Sequence, residues 1–150
     1  MTELFELNPG LDTGALAAAY RADQRLQVRD LLTERSAGAI HDVLTRETPW
    51  GLAWKGANAP TRLRREEIAR LTPQQQQDMT AELTSTLSGD GYGFLYSSYP
   101  MLTAYLDQWA PGSALDALLE AINSAPFLDF ARTVTGIPEL IKADAQATLY

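Results

Sequence analysis

The sequence predicts an α+β fold, with several helices set against a few antiparallel strands in one domain spanning residues 1–150. Three observations predict it. Helix-capping residues stand repeatedly just before apolar residues at three- and four-residue spacing. Short aromatic-rich pieces with period-two alternation lie between those helices. The last ten residues alternate strictly between apolar and polar, which a helix would scatter around its axis and a strand sorts onto two faces.

Taken in order, Asp12 is placed to cap a short helix through Leu16 and Tyr20. Arg25-Leu26-Gln27-Val28-Arg29 alternates polar and apolar residues and is expected as an edge strand. Thr33 or Ser36 can cap a helix with Ala37, Ile40 and Leu44 facing inward. Trp50-Gly51-Leu52-Ala53-Trp54 reads as a strand with Trp50, Leu52 and Trp54 on one face. In Leu71-Thr72-Pro73, Thr72 is the N-cap, Pro73 the first helical residue and Gln75 the capping-box partner. The run Gln74–Gln77 is then the solvated first turn of that helix, whose apolar stripe is Met79, Leu83 and Leu87. Gly89 is expected to end it in a left-handed conformation.

Tyr92-Gly93-Phe94-Leu95-Tyr96, between Gly91 and Pro100, reads as a second central strand. Ser113 caps a helix with Leu115, Leu118, Leu119 and Ile122 on one side. Ser124 and Pro126 open the next, with Phe127, Leu128, Ala131 and Val134 inward, and Gly136-Ile137-Pro138 stops it. Ile141, Ala143, Ala145, Ala147 and Leu149 form one face of a final strand; Lys142, Asp144, Gln146, Thr148 and Tyr150 form the other. The polar face is expected to line water or a polar cavity. The strand runs to the last residue without a turn, as expected of a fragment or of a fold completed by another segment.

Composition narrows the chemistry. The 150 residues are enough for a buried core, and 45% hydrophobic with 21% charged is the ordinary balance of a soluble globular protein. A net charge of -7 argues against a nucleic-acid partner. With no cysteine there is no disulfide, thiolate nucleophile or zinc–cysteine site, a composition compatible with a reducing cytoplasm. His41 is the single histidine, so a site needing two imidazoles cannot be built from one copy of the chain. The acidic start Met1-Thr2-Glu3-Leu4-Phe5-Glu6 has no apolar core of a signal peptide, and no apolar run approaches the ~20 residues of a membrane span. A soluble, cytoplasmic protein without a membrane is expected.

Several segments, in this order, resemble prolyl-hydroxylase-like iron(II)/2-oxoglutarate oxygenases. They are Leu7-Asn8-Pro9, Gln27-Val28-Arg29-Asp30-Leu31-Leu32, Thr48-Pro49-Trp50-Gly51-Leu52-Ala53-Trp54 and Gly93-Phe94-Leu95-Tyr96-Ser97-Ser98-Tyr99-Pro100-Met101. Val134-Thr135-Gly136-Ile137-Pro138-Glu139-Leu140 and the tail Ala143–Tyr150 complete the set. The resemblance implies that these residues are the helical N-terminal layer and first strands of a double-stranded β-helix (jelly roll), with the helices supporting the barrel from outside. It implies an enzyme that hydroxylates a prolyl or related side chain, whether in a free amino acid, a peptide or a protein, converting 2-oxoglutarate and dioxygen to succinate and carbon dioxide. The family's His-x-Asp…His iron site leaves open positions for 2-oxoglutarate and dioxygen. This chain has no His-x-Asp and no second histidine, so it carries no catalytic or metal residue and is expected to be inactive alone.

By resemblance, Tyr150 is the residue carried over: it would face the barrel interior and hydrogen-bond the 2-oxoglutarate co-substrate. Gln146 and Thr148 share its face and would border that pocket or simply line a strand. Trp50, Trp54, Phe94, Tyr96 and Tyr99 read as core, with a peptide groove as the competing reading. His41 reads as a surface or structurally bonded helical residue. Arg62, Arg64, Arg65 and Arg70, offset by Glu66 and Glu67, read as a solvated helix face, with an anion site as the competing reading. An alternative of another class is a non-catalytic helical module whose final strand pairs with a partner; in a third reading a separate chain completes the barrel.

Overall fold

The computed structural model describes residues 4–150; the first three residues of the acidic N-terminal stretch lie outside the described residues. The chain is α+β, with seven α-helices and one four-stranded antiparallel sheet among the described residues. It divides into two compact units, each assembled from separate stretches of sequence. No described helix is long and apolar enough to cross a membrane.

One unit combines the residues up to Glu47 with Met101–Ala145 and is helical. Its first helix, α1 (Thr13–Asp23), is capped as expected: the Asp12 carboxylate accepts the Ala15 N–H at 2.9 Å. The expected strand Arg25–Arg29 does not form. Leu26 and Val28 are half-buried between exposed neighbours, so the alternation reports sidedness, but no strand pairs with it. The pairing falls a few residues later: Asn8 N–H donates to Leu31 O at 2.9 Å and Thr33 N–H to Glu6 O at 3.0 Å, around a Leu7–Leu32 bridge. Asp30, at φ 50°, turns the chain into that pairing.

Helix α2 (Glu34–Asp42) is capped by Thr33. Ser36 is inside the helix and fully buried, its hydroxyl accepting the Glu6 N–H at 3.0 Å. Its buried face is therefore Ser36 and Val43 with half-buried Ile40 and Leu44, while Ala37 is exposed, contrary to expectation. The helix widens into a π-helical turn, Val43–Glu47, where the Thr45 hydroxyl bonds back to the His41 carbonyl at 2.8 Å.

The unit's later helices are α5 (Met101–Leu106), α6 (Ala114–Ile122) and α7 (Ala125–Thr135). The α6 core is Leu115 and Leu119, with Asp116 buried beside them and accepting the Gly112 N–H at 3.1 Å. Helix α7 packs on α1, presents Leu128 and Val134 inward, and ends at Gly136 with φ 70°, the left-handed stop expected from sequence. Phe127 meets Phe5 edge-to-face at 5.6 Å.

The other unit, Thr48–Pro100 with Gln146–Tyr150, holds the sheet. Its strands are β1 (Gly51–Lys55), β2 (Thr61–Leu63), β3 (Phe94–Pro100) and β4 (Gln146–Leu149), in the order β2-β1-β3-β4. Between β2 and β3 run α3 (Arg65–Ile68) and α4 (Pro73–Ser88). Helix α4 starts with the expected reciprocal cap: Gln75 N–H to the Thr72 hydroxyl at 3.2 Å and Thr72 N–H to the Gln75 side chain at 2.8 Å. Met79 and Leu83 are half-buried, but Leu87 is 58% exposed. Gly89 is extended (φ -104°, ψ -161°), not left-handed as expected.

The long final strand is the largest departure. Only Gln146–Leu149 pairs with β3. Upstream, Asn123 takes the place of a strand neighbour: its amide donates to Ala143 O and accepts from Ala143 N–H, each at 2.9 Å. Ile141, expected inward, is 84% exposed.

Candidate functional site

The register sorts the sheet into two faces. Residues opposite one another share a face, and the face changes at each step along a strand. Leu52, Trp54, Thr61, Leu63, Leu95, Ser97, Tyr99, Ala147 and Leu149 fall on one side, which is apolar apart from Thr61 and Ser97. Gly51, Ala53, Lys55, Arg62, Phe94, Tyr96, Ser98, Gln146 and Thr148 fall on the other, with Tyr150 continuing the β4 side. The second face holds the sequence candidates Tyr150, Gln146 and Thr148 together, as their alternation requires.

Tyr150 is 93% exposed and its ring lies over Tyr96, centroids 5.1 Å apart at 39°. The stack continues along β3, Tyr96 to Phe94 at 5.4 Å and Phe94 to Tyr92 at 6.0 Å. The Lys55 ammonium sits 5.9 Å from the Tyr92 ring centre and donates to the Tyr92 carbonyl at 2.9 Å. The candidate aromatics thus divide: Trp54 and Tyr99 belong to the apolar face, Tyr99 being 2% exposed, and Phe94 and Tyr96 to the polar face. They do not share one groove.

Arg62 does not lie where the sequence pattern put it. It stands on β2, not on a helix face, and Nη2 donates to the Gln146 side-chain oxygen on β4 at 3.3 Å. The side chains therefore meet across both central strands. They can do so because the register places Ala53, Gly51 and Ser98 between them, all small. Gly51 is obligatory there: a Cβ would run into the Leu63 carbonyl, whose carbon and the Arg64 Cα lie 3.2 and 3.3 Å from it. Beneath this span Ser98 is 3% exposed, and its hydroxyl has no hydrogen-bond partner among the described residues. A basic residue directly opposite a small one on a neighbouring strand is the signal that pairing reveals and linear sequence hides.

His41 lies exposed on α2, in the helical unit. No group of three or more His, Cys, Asp or Glu that could hold a metal occurs among the described residues. With one histidine in 150 residues, a single copy of the chain cannot supply both imidazoles of the iron site that the family resemblance implies. In the helical unit, a broad open depression beside Asn8, Asp30 and Thr33 has polar groups already engaged: Asn8 donates to Asp30 O at 3.0 Å and Thr33 to Glu6 at 3.4 Å.

No protein-family model matches the chain, and no curated protein or solved structure was found to match it.

Proposed function

We propose that these residues form the N-terminal helical portion and first strands of an iron(II)/2-oxoglutarate-dependent dioxygenase of the prolyl-hydroxylase-like type. The observation that carries this reading is the sheet's two-sidedness: the polar, aromatic face holds Tyr150 stacked on Tyr96 beside Arg62, Gln146 and Thr148. In a jelly roll that face would be the interior. Tyr150 would then orient the 2-oxoglutarate co-substrate by hydrogen bonding from its phenol. The iron ligands would come from residues other than these 150, since one histidine cannot form the site. The overall reaction inserts one oxygen atom of dioxygen into a prolyl or related C–H bond, while 2-oxoglutarate becomes succinate and carbon dioxide. The substrate partner would be an amino acid, a peptide or a protein.

The test is succinate formation from 2-oxoglutarate with iron(II) and proline-containing peptides. A protein extended through a His-x-Asp strand is expected to turn over, and the 150 residues alone are not. No succinate from the extended protein sinks the proposal; turnover by the 150 residues sinks the assignment of the iron ligands elsewhere.

A second reading rests on β4, which lies at an edge of the sheet. Edge strands offer backbone donors and acceptors to an added strand. As an interaction module the chain would bind a partner's extended segment there without catalysis. Slowed hydrogen exchange confined to Gln146–Leu149 on adding a partner, with no succinate from any form, selects this reading.

A further inference from the structure

Asp90-Gly91 differs chemically from the other acidic positions of the chain. Of the aspartates and asparagines in the sequence, only Asp90 is followed by glycine. The pair lies beyond α4, which ends at Ser88, and before β3, which begins at Phe94. Both residues are exposed. Neither the Asp90 carboxylate nor the Gly91 N–H has a hydrogen bond or an ion pair among the described residues. Other aspartates are held in place. The Asp12 carboxylate caps α1, Asp116 accepts the Gly112 N–H, and Asp129 pairs with Arg132 at 2.7 Å.

The backbone around this pair is closely fitted, although the reacting groups themselves are free. A Cβ on Gly91 would come within 2.9 Å of Thr86 Cγ2 and 3.2 Å of the Thr86 carbonyl oxygen. A Cβ on Gly93 would come within 2.9 Å of the Lys55 carbonyl oxygen and 3.3 Å of Leu87 Cδ2. Between those two glycines, the Tyr92 carbonyl accepts from Lys55 Nζ at 2.9 Å, and the Tyr92 ring meets Phe94 at 6.0 Å. The path from α4 into β3 therefore has no room for an added backbone atom unless something shifts. Glycine at 91 also leaves its amide nitrogen unshielded, since no side chain stands on its own Cα.

We propose that Asp90-Gly91 is a site of spontaneous isoaspartate formation. The Gly91 amide nitrogen attacks Asp90 Cγ. A C–N bond forms, and the hydroxyl of the protonated carboxyl leaves with the amide proton as water. Water then opens the cyclic succinimide. Attack at the Asp90 main-chain carbonyl carbon breaks its bond to the Gly91 nitrogen, which regains its proton, and the main chain now runs through Cβ and Cγ. The product has the same atoms as the parent, and water, first lost and then regained, is the only co-reactant. The backbone is one carbon longer in a stretch that cannot absorb it. The start of β3 is therefore displaced, and the Lys55–Tyr92 bond and the Tyr92–Phe94 contact are lost. Ser97 and Ser98, paired on one side with β1 and on the other with β4, keep their places. The modification is an age mark built into the link between α4 and β3, and it is independent of any activity assigned to the sheet.

The test ages the intact 150-residue chain at neutral pH in water enriched in heavy oxygen. Solvent oxygen is expected to enter at residue 90, because opening the succinimide adds it, and electron-transfer fragmentation should place isoaspartate there. An isoaspartyl carboxyl methyltransferase should label the aged chain and not the fresh one. Asp90→Asn, whose amide expels ammonia in place of water, should convert at least about tenfold faster. Asp90→Glu keeps the charge but would have to close a larger ring, and should convert at least about tenfold more slowly. Both substitutions fall on an exposed side chain, so neither result turns on a damaged fold. Heteronuclear NMR of the aged chain should show shifts at Lys55, Tyr92 and Phe94, with Ser97 and Ser98 unmoved. No isoaspartate at residue 90 over many times the period in which Asp90→Asn converts, or equal conversion by Asp90→Glu, would overturn the proposal. Conversion at residue 90 that leaves Lys55 and Tyr92 unshifted overturns the displacement of β3.

Discussion

Single residues decide much of what this chain can do, and Tyr105 shows how. Its phenol donates to the Glu120 carboxylate at 2.8 Å. That hydrogen bond, with the carboxylate's charge behind it, raises the phenol above its ordinary value of 10.0. The native state then holds the proton to higher pH than the unfolded chain does. The stabilisation is complete below pH 10.0 and fades as pH climbs through the native value. In an ultraviolet phenolate titration, Tyr105→Phe should remove a late-titrating component, and the variant's stability should lose the corresponding alkaline decline. Gly51 acts through sterics alone. Gly51→Ala places a methyl against the Leu63 carbonyl and should destabilise by about 1–3 kcal/mol, read by urea unfolding and by shifted amides at Arg62 and Leu63. The sequence named Tyr150, Gln146 and Thr148 as one face because alternation in β4 is local information. It could not place Arg62 or Ser98 beside them, since that depends on which strands become neighbours.

At the scale of elements, caps were the most legible features. Asp12, Thr33, Thr72 and Ser113 each accept the backbone N–H expected of an N-cap, because a cap needs only residues three positions apart. Gly136 stops α7 in the left-handed conformation, and Gly89 does not stop α4 that way. Glycine permits that conformation without compelling it. The two strands read too generously failed for one reason. Alternation in residues 25–29 and 141–145 records which side chains face inward, whereas a strand also needs a backbone partner. For 141–145 the partner is the side chain of Asn123, which bonds both the N–H and the carbonyl of Ala143. Asn123→Ala leaves those groups, and a bond to the Leu119 carbonyl, unmet. The expected loss is about 1–3 kcal/mol, with faster hydrogen exchange at Ala143 than in the parent.

For the molecule as a whole, the fold class was legible and the jelly roll was a matter of resemblance. Helices with local caps and aromatic strands between them suffice to predict α+β. The order β2-β1-β3-β4 rests on pairings distant in sequence, Ser98 with Thr148 among them. The same order sets the chemistry of each face. Small residues on the two central strands let a side chain from one edge reach the other, so one strand's composition governs what residues two strands away can touch.

That β4 comes from the far side of residues 101–145 has a consequence for biosynthesis. A chain emerging from the ribosome N-terminus first presents β1, β2 and β3 well before β4 exists. Until then β3 is itself the edge of a three-stranded sheet, and Arg62 has no Gln146 to hold. The helical segment between them must be made before the last strand arrives. Loop length adds only slowly to the entropy of closing such a circuit, so the delay is one of sequence order more than of energy. During that interval the uncovered β3 edge is where a nascent chain would pair wrongly with its neighbour, and where a chaperone would find its earliest purchase.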